Sequence, residues 1–239
     1  MNPNKYLEET KLLDYSNRRI QELITTRKWG NLDVYNKIKE TYTFVKEEIK
    51  FGYNKKDLIP ASKVLRDGYG QCNTKATLLM SLLRALDVPC RLHGFEVDKS
   101  FQAPIFKGVY YRKAPNTFFH AWVEALLDDK WIDLEGVIID NEYLNQLKYL
   151  YKDTTGKFYA YCVAIPDFKN LQVDFTGKST YVQIDAVTKD IGIFNDVDSF
   201  LERHKQRLNW FRGTIYGLIV RHLMNKNVTK LRTGKLLKK

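Results

Sequence analysis

Cys72 follows Gly70-Gln71 at the start of a predicted helix, and His120 opens His120-Ala121-Trp122-Val123-Glu124, which alternates as a strand does. A thiol, an imidazole about fifty residues later and a carboxylate soon after that are the parts of a thiol nucleophile. Such a group attacks a carbonyl and carries the acyl portion as a thioester. The attacking species is the thiolate, and an ordinary cysteine, with a pKa of about 8.5, is only slightly ionised at neutral pH. The unpaired N–H groups of a helix start and a nearby imidazolium both favour the thiolate, so this placement suits an activated cysteine. Gly68 and Gly70 let the backbone turn tightly and keep the thiol open.

The other candidates read differently. Cys90 and Cys162 sit inside apolar strand patterns, as small buried hydrophobes do. His93, beside Gly94 in mid-strand, reads as structural, and His204 and His222 fall in a basic C-terminal region. An imidazole acting as a base needs an acceptor on its second nitrogen to fix tautomer and orientation. Asp133 and Glu135 follow Trp131 on a predicted return strand, two apart and therefore on one face. Asp128 and Asp129 read as turn residues. Both strand carboxylates are chemically able, and spacing alone does not choose between them.

Around these residues the chain divides into helices first and strands afterwards. Residues 4–29 and 34–49 read as helices, 51–60 as a loop, and 61–65 as a helical turn. A helix over 72–86 puts Ala76, Leu79, Leu83 and Leu86 on the cysteine's stripe, and Asp87-Val88-Pro89 ends it. Strands are predicted over 90–97, 118–127 and 131–135, with Asp128-Asp129-Lys130 as a hairpin turn, and again over 158–165 and 181–187. Residues 197–226 return to helix. This order predicts an α+β domain in which the nucleophile helix packs on an antiparallel sheet carrying the base and its orienter. The expected divisions are an N-terminal helical region (1–39), a core (40–190) and a basic helical extension (191–239).

Composition bounds the setting. With 239 residues, 44% of them hydrophobic, the chain can bury a sizeable core. Three cysteines do not make a disulfide framework and fit a reducing compartment. The N-terminus lacks a signal-peptide pattern and no apolar run reaches the roughly 18 residues a membrane span needs, so a cytoplasmic location is expected. The net charge of +11 is uneven: residues 201–239 hold eleven Lys/Arg against one acid, Glu202. The first 200 residues are close to neutral, so the pI is no sign of a nucleic-acid enzyme. The stretch Asn209–Met224 is apolar around much of its circumference and Lys226–Lys239 is strongly basic. A docked C-terminal helix is the favoured reading, since Gly213 and Gly217 weaken a free-standing one. A membrane-surface anchor and a nucleic-acid contact are the alternatives.

These residues, in this order, resemble the transglutaminase-like superfamily, whose fold is shared with papain-like thiol proteases. The resemblance covers about residues 40–136: the aromatic-apolar lead-in Tyr42–Tyr53, the segment Ala61–Gly70, Gly70-Gln71-Cys72, Leu82–Arg91 (LLRALDVPCR), His120–Glu124 and Lys130-Trp131. It implies a papain-like/transglutaminase-like core and a triad of Cys72, His120 and a carboxylate. The family's third residue is usually an aspartate four positions after the return-strand tryptophan. Here that position is Glu135, followed by Gly136 where Pro-Thr is usual, so alignment favours Glu135 and residue type favours Asp133. Asn73 stands where animal transglutaminases carry a tryptophan. No calcium-loop pattern and no CxxC pair is present, so no cofactor or metal is expected. The implied reaction is thiol attack on a peptide or protein amide. Hydrolysis of a peptide or isopeptide bond is the leading expectation. Acyl transfer to an amine and a non-catalytic scaffold role are the alternatives. The Cys72 backbone N–H is one expected oxyanion donor and Gln71 a candidate for the second.

Overall fold

A computed structural model describes residues 3–204 and 216–235. The predicted first helix is shorter than its polar, mixed-charge pattern suggests: α1 spans Arg18–Arg27, capped by the Asn17 side chain. The preceding residues are drawn into tertiary contacts instead. Leu12 and Leu13 are buried, the Leu12 carbonyl accepts from Ala61 N, and the Asp14 carboxylate accepts from Ser62 N and Oγ. Helix α2 spans Val34–Glu47, with Asp33 as its cap. Strand β1 (Lys50–Phe51), helix α3 (Ala61–Asp67) and strand β2 (Tyr69–Gly70) follow, the two short strands pairing in parallel.

Helix α4 (Cys72–Ala85) is not amphipathic in place. Every side chain from Asn73 to Arg84 is buried, because α2, α3 and the central sheet enclose it. Its buried polar groups therefore need internal partners. Thr77 Oγ1 returns to the Asn73 carbonyl, and the Arg84 guanidinium donates to the carbonyls of Glu8, Cys90 and Asn195. Asp87, at a left-handed φ of 58°, turns the chain away before Pro89.

The central sheet has four antiparallel strands, Lys130–Asp133, Thr117–Leu127, Cys90–Asp98 and Val187–Phe194, side by side in that order. Strand β3 is Cys90–Asp98, β4 is Thr117–Leu127 and β5 is Lys130–Asp133, with helix α5 (Gly108–Lys113) between β3 and β4. Asp128 and Asp129, both at positive φ, make the two-residue hairpin joining β4 to β5. Helix α6 (Asn141–Leu150) follows, a helix outside the sequence expectations. The strand expected over 158–165 is a separate hairpin of β6 (Phe158–Ala160) and β7 (Val163–Ile165), broken by Tyr161 and Cys162, both at positive φ. The strand expected over 181–187 lies later, as β8 (Val187–Phe194).

Helix α7 (Val197–Arg203) and helix α8 (Arg221–Arg232), the latter led in by a π-helical turn over Tyr216–Val220, complete the described chain. The expected helix over 197–226 and the basic tail thus fall partly on residues 205–215 and 236–239, outside the described ones. Helix α8 is docked: Arg232 pairs with the fully buried Asp140, and the Asn225 side chain bonds both the N–H and the carbonyl of Tyr53. Among the described residues no helix is long and apolar enough to cross a membrane.

Candidate active site

Cys72 is the first residue of α4, with Gln71 as the extended residue before it. Gly70 lies so close to the first turn that a Cβ there would come within 2.7 Å of Thr74 Oγ1 and 3.0 Å of Lys75 Cγ. That approach lets Gln71 N donate to Thr74 Oγ1, while Thr74 Oγ1 donates to Asn54 Oδ1. The loop before α3 is stitched to the same turn. Asn54 N donates to Gln71 Oε1, and Asp57 accepts from Gln71 Nε2 at 2.7 Å and Asn73 Nδ2 at 3.1 Å. The Gln71 amide is therefore committed to Asp57, which weakens it as a second oxyanion donor. Asn54 and Asp57 were missed in the sequence, where Asn and Asp in a punctuated loop look like ordinary turn residues.

His120 sits in β4 opposite Phe95 of β3 and is 1% exposed. Its Nε2 lies 3.1 Å from Glu135 Oε1. Burial pulls the imidazole pKa down, but the charge and hydrogen bond of Cys72, then those of Glu135, outweigh it and raise the ring to about 10. The structure thus brings Cys72, His120 and Glu135 together. Glu135 is fully buried, and its second oxygen, Oε2, accepts from the backbone N–H groups of Val182 (2.9 Å) and Gln183 (3.1 Å).

Asp133 is not in this group. The expectation that it shares a face with Glu135 fails because β5 ends at Asp133. Leu134 leaves the extended conformation (φ −117°, ψ 38°), and Glu135 begins a 3₁₀ turn over Glu135–Ile138. Asp133 instead accepts from Trp122 Nε1 at 2.8 Å and from the Tyr181 hydroxyl. Tertiary ties hold the turn that carries Glu135. Gly136 N donates to Thr180, and the buried Lys75 of α4 donates to the Ile138 carbonyl at 3.0 Å. Burial, set against the charges of Asp140 and Glu47, lowers the Lys75 ammonium to about 7.

His93 has both ring nitrogens engaged, Nδ1 with Glu124 at 2.8 Å and Nε2 with Asp190 at 3.0 Å. The potential ligand atoms of His93, Glu124 and Asp133 lie within 4.8 Å of one another. Their oxygens are already in use, since Arg91 Nε donates to Glu124 and Trp122 to Asp133. Cys90 is buried near the Met80 carbonyl, and burial raises its pKa. Cys162 is also buried, with its thiol 3.2 Å from the Tyr53 hydroxyl, and burial pushes it up to about 12.

A cavity of about 960 Å³ opens beside Cys72 and His120. Residues from the loop before α3, the β3–β4 connection and the C-terminal helical segment wall it.

Residues 23–136, which include Cys72, His120 and Glu135, match the family model of the transglutaminase-like superfamily. No curated protein matches the chain significantly. Among solved structures, the chain is similar to one described as a "putative cysteine protease" from Cytophaga hutchinsonii. That match has 16% identity and a TM-score of 0.48 over 82% of this chain. The chain spans 48% of the length of that protein.

Proposed function

Residues 23–136 belong to the transglutaminase-like superfamily, and from that premise we propose that the chain is a thiol enzyme that hydrolyses peptide or isopeptide amide bonds. The observation that carries this reading is the buried His120 ring, which has Glu135 on Nε2 and its proton affinity raised by Cys72 and Glu135 together. In this reading Cys72 is the nucleophile, His120 its base and Glu135 the residue that orients and charges the ring.

The Cys72 sulfur attacks the amide carbonyl, and the Cys72 backbone N–H, in the first turn of α4, donates to the developing oxyanion. As the C–N bond breaks, His120 gives its proton to the departing amine, leaving a thioester. Water then attacks the thioester, His120 takes a proton from it, and the acid leaves as the C–S bond breaks. The sulfur is regenerated as thiolate beside the imidazolium. Asp133 has no part in this reading, because Trp122 and Tyr181 hold its carboxylate elsewhere.

The test is iodoacetamide labelling of each cysteine as a function of pH, read by peptide mass spectrometry. Cys72 is expected to label near neutral pH far faster than Cys90 or Cys162, and His120→Ala to abolish the difference. Equal labelling of all three cysteines, or a Cys72 indifferent to His120→Ala, would favour a non-catalytic role. Adding methylamine to a turnover assay separates the two acyl acceptors: hydrolysis predicts free acid as the main product, and transfer predicts the methylamide.

A further inference from the structure

Much of the lining of the cavity beside Cys72 is rings and aliphatic side chains. Val97 and Phe118 come from the central sheet, Phe101 and Phe106 from the β3–β4 connection, and Val220 and Met224 from the C-terminal helical segment. Among the described lining residues the only carboxylate is Asp57, and the amide nitrogens of Gln71 and Asn73 already engage it. The lining lysines, Lys55, Lys56 and Lys113, are all exposed and form the rim.

We infer that this cavity is an acyl-side pocket that selects donors with a large apolar, preferably aromatic, side chain next to the scissile carbonyl. The inference rests on the thiol reading and deepens it by naming the substrate class. An aromatic side chain entering the pocket leaves water for contacts with ring faces and edges. A glycyl donor leaves the same walls unfilled and gains none of that. A carboxylate carried inside would lose hydration without a free partner, because the lysines stand at the rim and the His120 ring is already engaged by Glu135 and Cys72. Val220 and Met224 lie outside the residues 23–136 that carry the triad. The C-terminal segment thus sets specificity for chemistry performed by another part of the chain.

The experiment compares inactivation of Cys72 by chloromethyl ketones of N-acetyl-phenylalanine, N-acetyl-glycine and N-acetyl-aspartate. In each, the sulfur forms a thioether as chloride leaves. Rates are divided by those of the same reagents with glutathione. The phenylalanyl reagent is expected to exceed the glycyl one by about tenfold or more, the scale on which an apolar pocket discriminates, with the aspartyl reagent slowest. Val220→Trp, which fills the pocket, is expected to collapse the phenylalanyl-to-glycyl ratio, and Met224→Trp serves if the first variant melts early. Corrected rates that are equal, or a ratio unchanged in a folded variant, would overturn the inference.

Binding of N-acetyl-phenylalaninamide and N-acetyl-glycinamide to Cys72→Ser, read by saturation-transfer NMR, tests the pocket without the thiol. Selective binding beside an unreactive Cys72 would sink the thiol reading and keep the pocket. A reactive Cys72 with no selectivity in either assay would do the reverse.

Discussion

Asp133 and Glu135 stand two residues apart and serve different partners. Glu135 reaches His120 Nε2 and two backbone N–H groups, whereas Asp133 holds the Trp122 indole and the Tyr181 hydroxyl. The divergence comes from Leu134, where the strand stops and a 3₁₀ turn begins. Side chains two apart share a face only while the chain stays extended.

Glu135→Gln should therefore lower kcat/KM by about 10²–10⁴-fold, the range expected when a base loses its orienting charge. Asp133→Asn should lower it by less than about tenfold, because it perturbs the Trp122 and Tyr181 contacts beside His120 and not the His120–Glu135 pair. Steady-state assays of both variants on one amide substrate decide the matter, and equal losses would remove Glu135 from its assigned role.

The pH behaviour of His120 follows from its neighbours. Its folded-state pKa, raised to about 10, lies above its ordinary value of about 6.5. Its contribution to stability is thus fully present below about pH 6.5 and is lost as pH rises through about 10. Imidazole ¹⁵N spectra should show His120 doubly protonated from about pH 6 to 9, and Glu135→Gln should move its deprotonation to lower pH. A wild-type ring that titrates near 6.5 would refute the arrangement.

The α+β order, the helix at Cys72 and the β4–β5 hairpin were legible because local signals and tertiary demands agree there. Apolar periodicity runs to Asp87-Pro89, and Asp128-Asp129 suits the turn it occupies. Legibility failed where a distant residue claims the backbone. Val182 and Gln183 read as strand, yet their N–H groups are spent on Glu135, so the strand starts only at Val187. Residues 4–17 carry a helix-like pattern, but Leu12, Leu13 and Asp14 are pinned to the start of α3. Asp57 left no sequence signal, because its partners Gln71 and Asn73 lie across a loop and a helix.

The glycine that follows Glu135, Gly136, is explained by crowding. A Cβ there would lie 2.6 Å from Tyr42 Oη and 2.9 Å from Thr180 Cβ, and its N–H donates to Thr180. Gly136→Ala should destabilise the fold by about 1–3 kcal/mol, as overpacking does. It should also reduce activity, since Glu135 is the preceding residue. Tyr42→Phe removes the clashing oxygen and should cost less in the Gly136→Ala background than in wild type. Urea denaturation of the four proteins measures that coupling, and strict additivity would reject the clash.

The C-terminal helix should be the element most easily released by a single substitution. Asp140 is fully buried and accepts from Phe51 N, Tyr143 N, and Arg232 Nε and Nη2. Burial alone would raise its pKa, but the Arg232 guanidinium and the backbone N–H groups hold it below its ordinary value. Its stabilising effect is therefore present above about pH 4 and lost as pH falls through the folded-state pKa. Arg232→Ala leaves a buried carboxylate without its cation, a change that costs about 3–5 kcal/mol. Acid unfolding should then begin at higher pH than in wild type. Amide exchange over 221–232 should rise first, and the apolar wall formed by Val220 and Met224 should be lost with it. Asp140→Asn keeps the cap on α6 without the charge, so the double variant should recover part of the lost stability. Exchange in Arg232→Ala that rises uniformly across the chain, rather than first in α8, would show that the pair supports the whole fold and not the docking of this helix.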